Sequence, residues 1–268
     1  MADDIQHHQR TDSDATDAPP SWTPFDTSIA AAPAFGLGRI DVTIPLTIVA
    51  DGVQHFAGSE RLWAMSFFDR NRIALIERGI DPARLPPGQY STERFPVLHV
   101  GDVPTFAPGE WNLSIGGLVD NPFTITLDEL QSMPAVTYTA DIHCVTKWTK
   151  FDMSWTGVRV RDLLDRAGVQ SNATHVMETA EYGYTTNLPL ADITSDQAVV
   201  AYAYEGEDIE PVHGGPVRIV VPHLYFWKSA KWVRSLELRD SDAPGFWERN
   251  GYNMYGDPFR EQRYTSDR

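Results

Sequence analysis

Apolar and polar residues alternate along much of this chain in short runs, the period-two signature of half-buried strands. Such runs cover residues 111–115, 124–125, 137–142, 175–179, 198–204, 217–221 and 233–238. A further run over 40–50 reads as an edge strand, because Pro45 cannot donate to a sheet ladder. Helical spacing is rarer. Residues 61–78 set Leu62, Met65, Phe68, Ile73 and Ile76 on one stripe and stop at Gly79, a good helix end. Leu127–Ser132 follows Thr126, which suits an N-cap, and Val160–Ala167 forms the other clear short helix. Strands with scattered helices, and no regular strand–helix rhythm, predict an α+β fold.

The same pattern divides the chain. Residues 1–30 are acidic and lack an apolar core, so they read as a disordered tail. Residues 31–88 form an N-terminal extension that ends in a Pro/Gly-rich linker over 82–88. Residues 89–268 make one domain of catalytic size. A net charge of −15 argues against nucleic acid or an anionic membrane as partner, since both need a basic face. No secretory leader is visible and no run approaches the length of a membrane span, which makes the cytoplasm the expected compartment. A single cysteine, Cys144, excludes disulfides within the chain and fits a reducing compartment.

Cys144 ends the alternation of Val136, Tyr138, Ala140 and Ile142, between His143 and Lys147. A thiol at a strand tip beside cationic groups loses its proton readily, and the thiolate binds metals or attacks electrophiles. The bland reading is a small buried hydrophobe. Two later segments add chemistry. Residues 176–190 hold Tyr182, Tyr184, Thr185, Thr186 and Asn187, read as a polar loop rich in hydrogen-bonding groups. His213-Gly214-Gly215-Pro216-Val217-Arg218 and Lys228-Ser229-Ala230-Lys231-Trp232 pair close-approach glycines with cations that can hold a phosphate. No Walker loop, dinucleotide fingerprint or zinc spacing occurs.

Together these segments resemble the sulfite-oxidase-type molybdopterin oxidoreductases, particularly their small cytosolic bacterial and archaeal members. The resemblance runs from about Arg94 to Tyr264. It rests on residues 95–104, 140–148, Glu178-Thr179, 184–190, 213–218 and 228–232. It implies a mixed-sheet molybdopterin-binding fold with short peripheral helices, and a molybdenum-molybdopterin cofactor. Cys144 stands at the position of the metal-ligating thiolate, and a soft sulfur ligand suits that metal. His213, Arg218, Ser229, Ala230 and Lys231 fall on the pterin and its phosphate. Thr179 falls on a pterin-contacting strand end, and His99 in a loop lining the cofactor. Tyr184 matches the active-site tyrosine beside the metal, with Lys147 and His143 setting local charge.

The implied reaction is two-electron oxygen-atom transfer on a small sulfur-containing oxo substrate, an oxo-anion or a sulfoxide. A separate electron-transfer partner is implied too, since no haem or flavin motif is visible. Where sulfite oxidases carry substrate-gathering arginines, this chain has Leu98 and Val145 to Thr149. Loss of guanidinium forks removes bidentate anion recognition, which disfavours sulfite itself. Two alternatives stay open: a non-catalytic molybdopterin-binding relative, and a cysteine hydrolase using Cys144 with a histidine base.

Overall fold

The computed structural model describes residues 67–99 and 101–267. The strand expected over 40–50, the start of the helix over 61–66 and the acidic tail lie outside the described residues. In chain order the elements begin with α1 (Phe67–Glu77), β1 (Tyr90–Ser91), β2 (Asn112–Gly117), β3 (Phe123–Thr126), α2 (Leu127–Ser132) and β4 (Val136–His143). There follow β5 (Trp148–Arg159), α3 (Val160–Ala167), β6 (His175–Ala180), β7 (Thr185–Pro189) and α4 (Leu190–Ile193). The last are β8 (Val199–Tyr204), β9 (Glu207–Asp208), β10 (Arg218–Val220), β11 (Val233–Arg239) and α5 (Phe246–Arg249).

The strands make two sheets. One runs β1-β5-β8-β10, with β4 beside β5 and β9 beside β8; the other runs β3-β2-β11-β6-β7. The pairs β1–β5 and β2–β11 are parallel, while every other pair is antiparallel. The mixed sheets and few short helices are those the α+β pattern predicts. The main core draws on both sheets and on α3: Leu113, Ile115, Val158, Leu163, Ile219 and Leu236 are all essentially inaccessible.

Local chemistry explains most boundaries. Thr126 caps α2 reciprocally, its hydroxyl taking the Glu129 N–H while Glu129 Oε2 takes the Thr126 N–H at 2.8 Å. Gly79, at φ 73°, ends α1 as its position predicts. The α1 stripe is not buried as a stripe, however. Leu75 alone is fully covered, while Ile73 and Ile76 are exposed, and Arg72 secures the helix by donating to the carbonyls of Pro82 and Leu85. The stretch over 82–88 forms a 3-10 turn, Pro82–Arg84, that packs rather than hangs free. Arg84 donates to both carboxylate oxygens of Asp141 and pairs with Asp152, fastening the turn to β4 and β5.

Two strands depart from the sequence pattern. The twelve-residue β5 carries the most pairings in its sheet, yet its alternation is broken. Asp152 has φ 54°, and the register with β8 shifts at Gly157. A Cβ on Gly157 would lie 2.2 Å from the Val200 carbonyl, so glycine allows the two strands to touch. Residues 185–189, expected as loop, are β7, paired along its length with β6. Its buried side chains Thr186 and Asn187 are polar, which hid the strand from a pattern built on apolar positions.

Candidate active site

Cys144 follows the last residue of β4 and opens the turn into β5. Its N–H donates to the Trp148 carbonyl at 2.9 Å, and the Lys147 N–H returns to the Cys144 carbonyl at 2.9 Å. Lys147 takes φ 76°, the left-handed position that lets a three-residue loop close. Alternation then sends neighbours to opposite sides. Cys144 packs in a cluster with Trp148, Trp155 and Phe226. His143 instead lines a groove of about 560 Å³ with Arg84, Asp141, His223 and Phe259. Its Nδ1 sits 3.0 Å from Thr149 Oγ1, and burial presses the ring down to about 4, so it is neutral. His143 therefore does not serve Cys144 as a base. The thiol itself is 8% exposed, and the Thr146 hydroxyl donates to Sγ at 3.1 Å. Burial pushes the thiol up, while Thr146 and Lys231 oppose it.

A basic wall stands beside that thiol. The chain turns through Pro211–His213 and Gly214, at φ 109°, into β10. Arg218 donates to the carbonyls of His213 at 2.7 Å, Ser229 at 3.0 Å and Ile219 at 3.3 Å. Its guanidinium lies 4.0 Å over the Phe226 ring. Burial lowers it to about 9, which leaves it charged at neutral pH. Lys231 donates to the Val212 carbonyl at 2.7 Å; burial and Arg218 press its ammonium to about 7, against the pull of Cys144. Neither cation has a carboxylate partner within ion-pair distance among the described residues. His213 stacks on Phe95 at 3.9 Å. Its buried Nδ1 has no partner, nor have the indole nitrogens of Trp148 and Trp155.

Behind the wall the turn over 228–232 is knitted to both sheets. Ser229 Oγ accepts the Val221 N–H, and the buried Glu178 of β6 accepts the Ala230 N–H, each at 2.9 Å. Thr179, half-buried, follows Glu178 on β6 and pairs with Thr185. Lys228 faces away from Arg218's neighbourhood into a second polar cluster. There its ammonium lies 2.6 Å from Glu248 and donates to Asn187 and to the Met254 carbonyl.

The structure brings together Cys144, His213, Arg218, Ser229, Ala230 and Lys231. The other expected residues have their own contacts. The Tyr184 hydroxyl donates to the Trp227 carbonyl at 2.5 Å, and burial, then Glu248 and Glu178, hold its phenol up, against Arg218. Lys147 is exposed, its ammonium 5.9 Å from the Phe68 ring. His99 is exposed at the rim, its Nδ1 2.9 Å from the Gly101 carbonyl and its ring edge-on to Trp232. Leu98 is half exposed. Tyr252, assigned no role from sequence, has its phenol raised by burial, then by Tyr264 and Cys144. The only sequence signal for it is the density of aromatic residues over 246–255.

Residues 100–247 match the family described as the oxidoreductase molybdopterin binding domain. The oxidoreductase YuiH of Bacillus subtilis (strain 168) is 49% identical over 185 residues, covering 69% of this chain and 93% of its own. The mitochondrial sulfite oxidase of Drosophila melanogaster is 30% identical over 205 residues, of which this chain spans 35% of the length. The sulfane dehydrogenase SoxCD from Paracoccus pantotrophus shares the fold, with a TM-score of 0.52 at 24% identity, over 58% of this chain and 44% of that one. The chain belongs to the molybdopterin-binding oxidoreductases, and its cysteine, glycine-rich His/Arg turn and Ser-Ala-Lys turn meet at one site.

Proposed function

We propose that this enzyme binds a molybdenum-molybdopterin cofactor at Cys144 and catalyses two-electron oxygen-atom transfer on a small sulfur-containing oxo substrate. The carrying observation is the pair Arg218 and Lys231, two largely buried cations beside Cys144 with no carboxylate partner among the described residues. Buried charge is costly unless paired. An anionic phosphate would complete both groups, and bidentate guanidinium donors suit it. The unpartnered nitrogens of His213, Trp148 and Trp155 add donors and acceptors of the kind a heteroaromatic ring system uses. These residues fit the cofactor.

When bound, the cofactor supplies the two-electron redox chemistry. The chain supplies the rest. Cys144 would hold the metal as its thiolate, a form that burial alone disfavours. Arg218, Lys231 and His213 hold the anionic end, each fixed by backbone carbonyls or ring stacking, so little rearrangement accompanies binding. Phe95, Trp148 and Phe226 exclude water from the thiol side. Tyr252, whose phenol Cys144 helps to raise, would donate a hydrogen bond toward the substrate. The absence of an arginine at Leu98 and over 145–149 favours an uncharged sulfoxide or a weakly charged oxo-anion over sulfite. Relatives named for sulfite oxidation and for methionine-sulfoxide reduction bracket that range. Electrons pass to a separate partner, and a lone buried thiol suits the cytoplasm.

Metal and pterin analysis of full chain expressed in a cofactor-producing host tests this. Stoichiometric molybdenum in the wild type, lost in a folded Cys144→Ser variant, is the expected result. Background molybdenum in the wild type defeats the proposal.

A further inference from the structure

The turn that follows Cys144 sets a hydrogen-bond donor on its sulfur. Val145, Thr146 and Lys147 separate Cys144 from Trp148, and Lys147 closes the loop at φ 76°. The backbone of Cys144 is held from both sides. Its N–H donates to the Trp148 carbonyl at 2.9 Å. Its carbonyl accepts the Lys147 N–H at 2.9 Å and the side-chain amide of the buried Gln89 at 3.1 Å. Within that fixed frame Thr146 Oγ1 lies 3.1 Å from Cys144 Sγ and donates to it.

Thr146 is exposed, so water is open to its hydroxyl as a partner. A threonine in a turn can also bond back to a neighbouring backbone group. Among the described residues its one hydrogen bond is to the sulfur. The branched Cβ restricts the side chain to few χ1 positions, which keeps the hydroxyl in place. A neutral thiol is a weak acceptor, whereas a hydrogen bond to an ionised group is roughly twice as strong as a neutral one. The contact therefore gains most when the sulfur carries negative charge, the form in which it holds a metal. Cys144 packs among Trp148, Trp155 and Phe226, and such surroundings strengthen the electrostatic part of the bond.

We infer that Thr146 is a positioning residue that acts through Cys144: its hydroxyl donates to the ligating sulfur and sets the reduction potential of the metal held there. The inference rests on the reading of Cys144 as the metal ligand and deepens it. A donor on a ligating sulfur draws electron density from the metal and so favours the more reduced state. The segment 145–149, which has no arginine to gather an anion, thereby acts on the metal rather than on the substrate.

The test compares the full-length wild type, Thr146→Val and Thr146→Ser. Valine keeps the branched shape and loses the hydroxyl, while serine keeps the donor. In molybdenum-loaded chain, Thr146→Val is expected to retain its molybdenum content and melting temperature. Its midpoint potentials, read from the Mo(V) paramagnetic signal, are expected to fall by the equivalent of a roughly three- to tenfold change in the reduction equilibrium, a part of one charge-assisted hydrogen bond. Thr146→Ser is expected to restore the wild-type potentials. In chain from a host that makes no cofactor, the S–H stretching band belongs to Cys144 alone, since the chain has no other cysteine. That band is expected to move in Thr146→Val and to return in Thr146→Ser. Wild-type potentials in loaded Thr146→Val overturn the inference, whatever the band does. So does a Thr146→Ser that matches Thr146→Val, because the packing of the turn and not the hydroxyl then sets the potential. Background molybdenum in the wild type defeats the cofactor reading and the tuning role with it, while a band that still moves upholds the hydrogen bond itself.

Discussion

Glu178 Oε2 accepts a 2.9 Å hydrogen bond from the Ala230 N–H, which fastens β6 of the five-stranded sheet to the turn carrying Lys231. The carboxyl is fully buried, and its other oxygen has no partner. Burial raises it from 4.5 to about 8, outweighing the Ala230 bond and the nearby Lys228 and Arg218. The unfolded chain therefore releases this proton near pH 4.5 while the folded chain keeps it to about pH 8. Stability from this group is complete below pH 4.5 and declines as pH rises through 8. Glu178→Gln is expected to flatten that decline by an amount on the order of a few kcal/mol, read from urea unfolding across the window. A wild type whose stability rises through the same window for reasons lost in Glu178→Gln contradicts the assignment.

Arg218 gives one N–H from each of its three nitrogens to a carbonyl, which leaves one N–H on each terminal nitrogen for an anion. Lysine at that position reaches at most part of this set. Arg218→Lys is expected to weaken cofactor binding roughly ten- to a hundredfold, on the basis of about 1.5–3 kcal/mol for a charge-assisted bond. Pterin retained after extensive dialysis, scored against the wild type, measures it. Retention equal to the wild type would remove Arg218 from the cofactor site.

The two tyrosines separate structure from chemistry. Tyr184→Phe leaves the Trp227 carbonyl without its donor and is expected to cost about 1–3 kcal/mol of stability with little effect on turnover once folded. Tyr252→Phe is expected to do the reverse, changing turnover and leaving the melting temperature nearly unmoved. Paired melting and steady-state rates with a sulfoxide substrate decide between them.

Lys147 sits at the left-handed corner of its turn, exposed over Phe68. Lys147→Ala is expected to stay within about 0.5 kcal/mol of wild-type stability and to retain full molybdenum content and turnover. A turnover loss greater than tenfold would bring this lysine back into the site.

Residues show where the sequence was readable. Strands such as β4, β6 and β11 follow simple alternation, and their limits fall within a residue or two of the pattern. The strand β5 does not, because Asp152 and Gly157 break its period where the backbone bulges. Nor does β7, because its inward residues serve Lys228 and Glu248 rather than an apolar core. In the site, the thiol and both basic turns were legible from their chemistry. Tyr252 was not, since a segment held by rings and one ion pair has no period to read.

By itself, then, the amino-acid sequence determined that strands dominate, that Cys144 ends one of them, and that glycine-flanked cations lie ready for an anion. Those are local properties, set by alternation, turn chemistry and the charge of neighbouring residues. The tertiary structure decided that Lys231 pairs with Arg218 while Lys147 turns outward, and that the Tyr184 hydroxyl is taken by the Trp227 carbonyl. Segments distant along the chain meet only through packing, and a single positive φ at Lys147 or a buried pair such as Lys228 and Glu248 redirects a side chain without leaving a periodic trace.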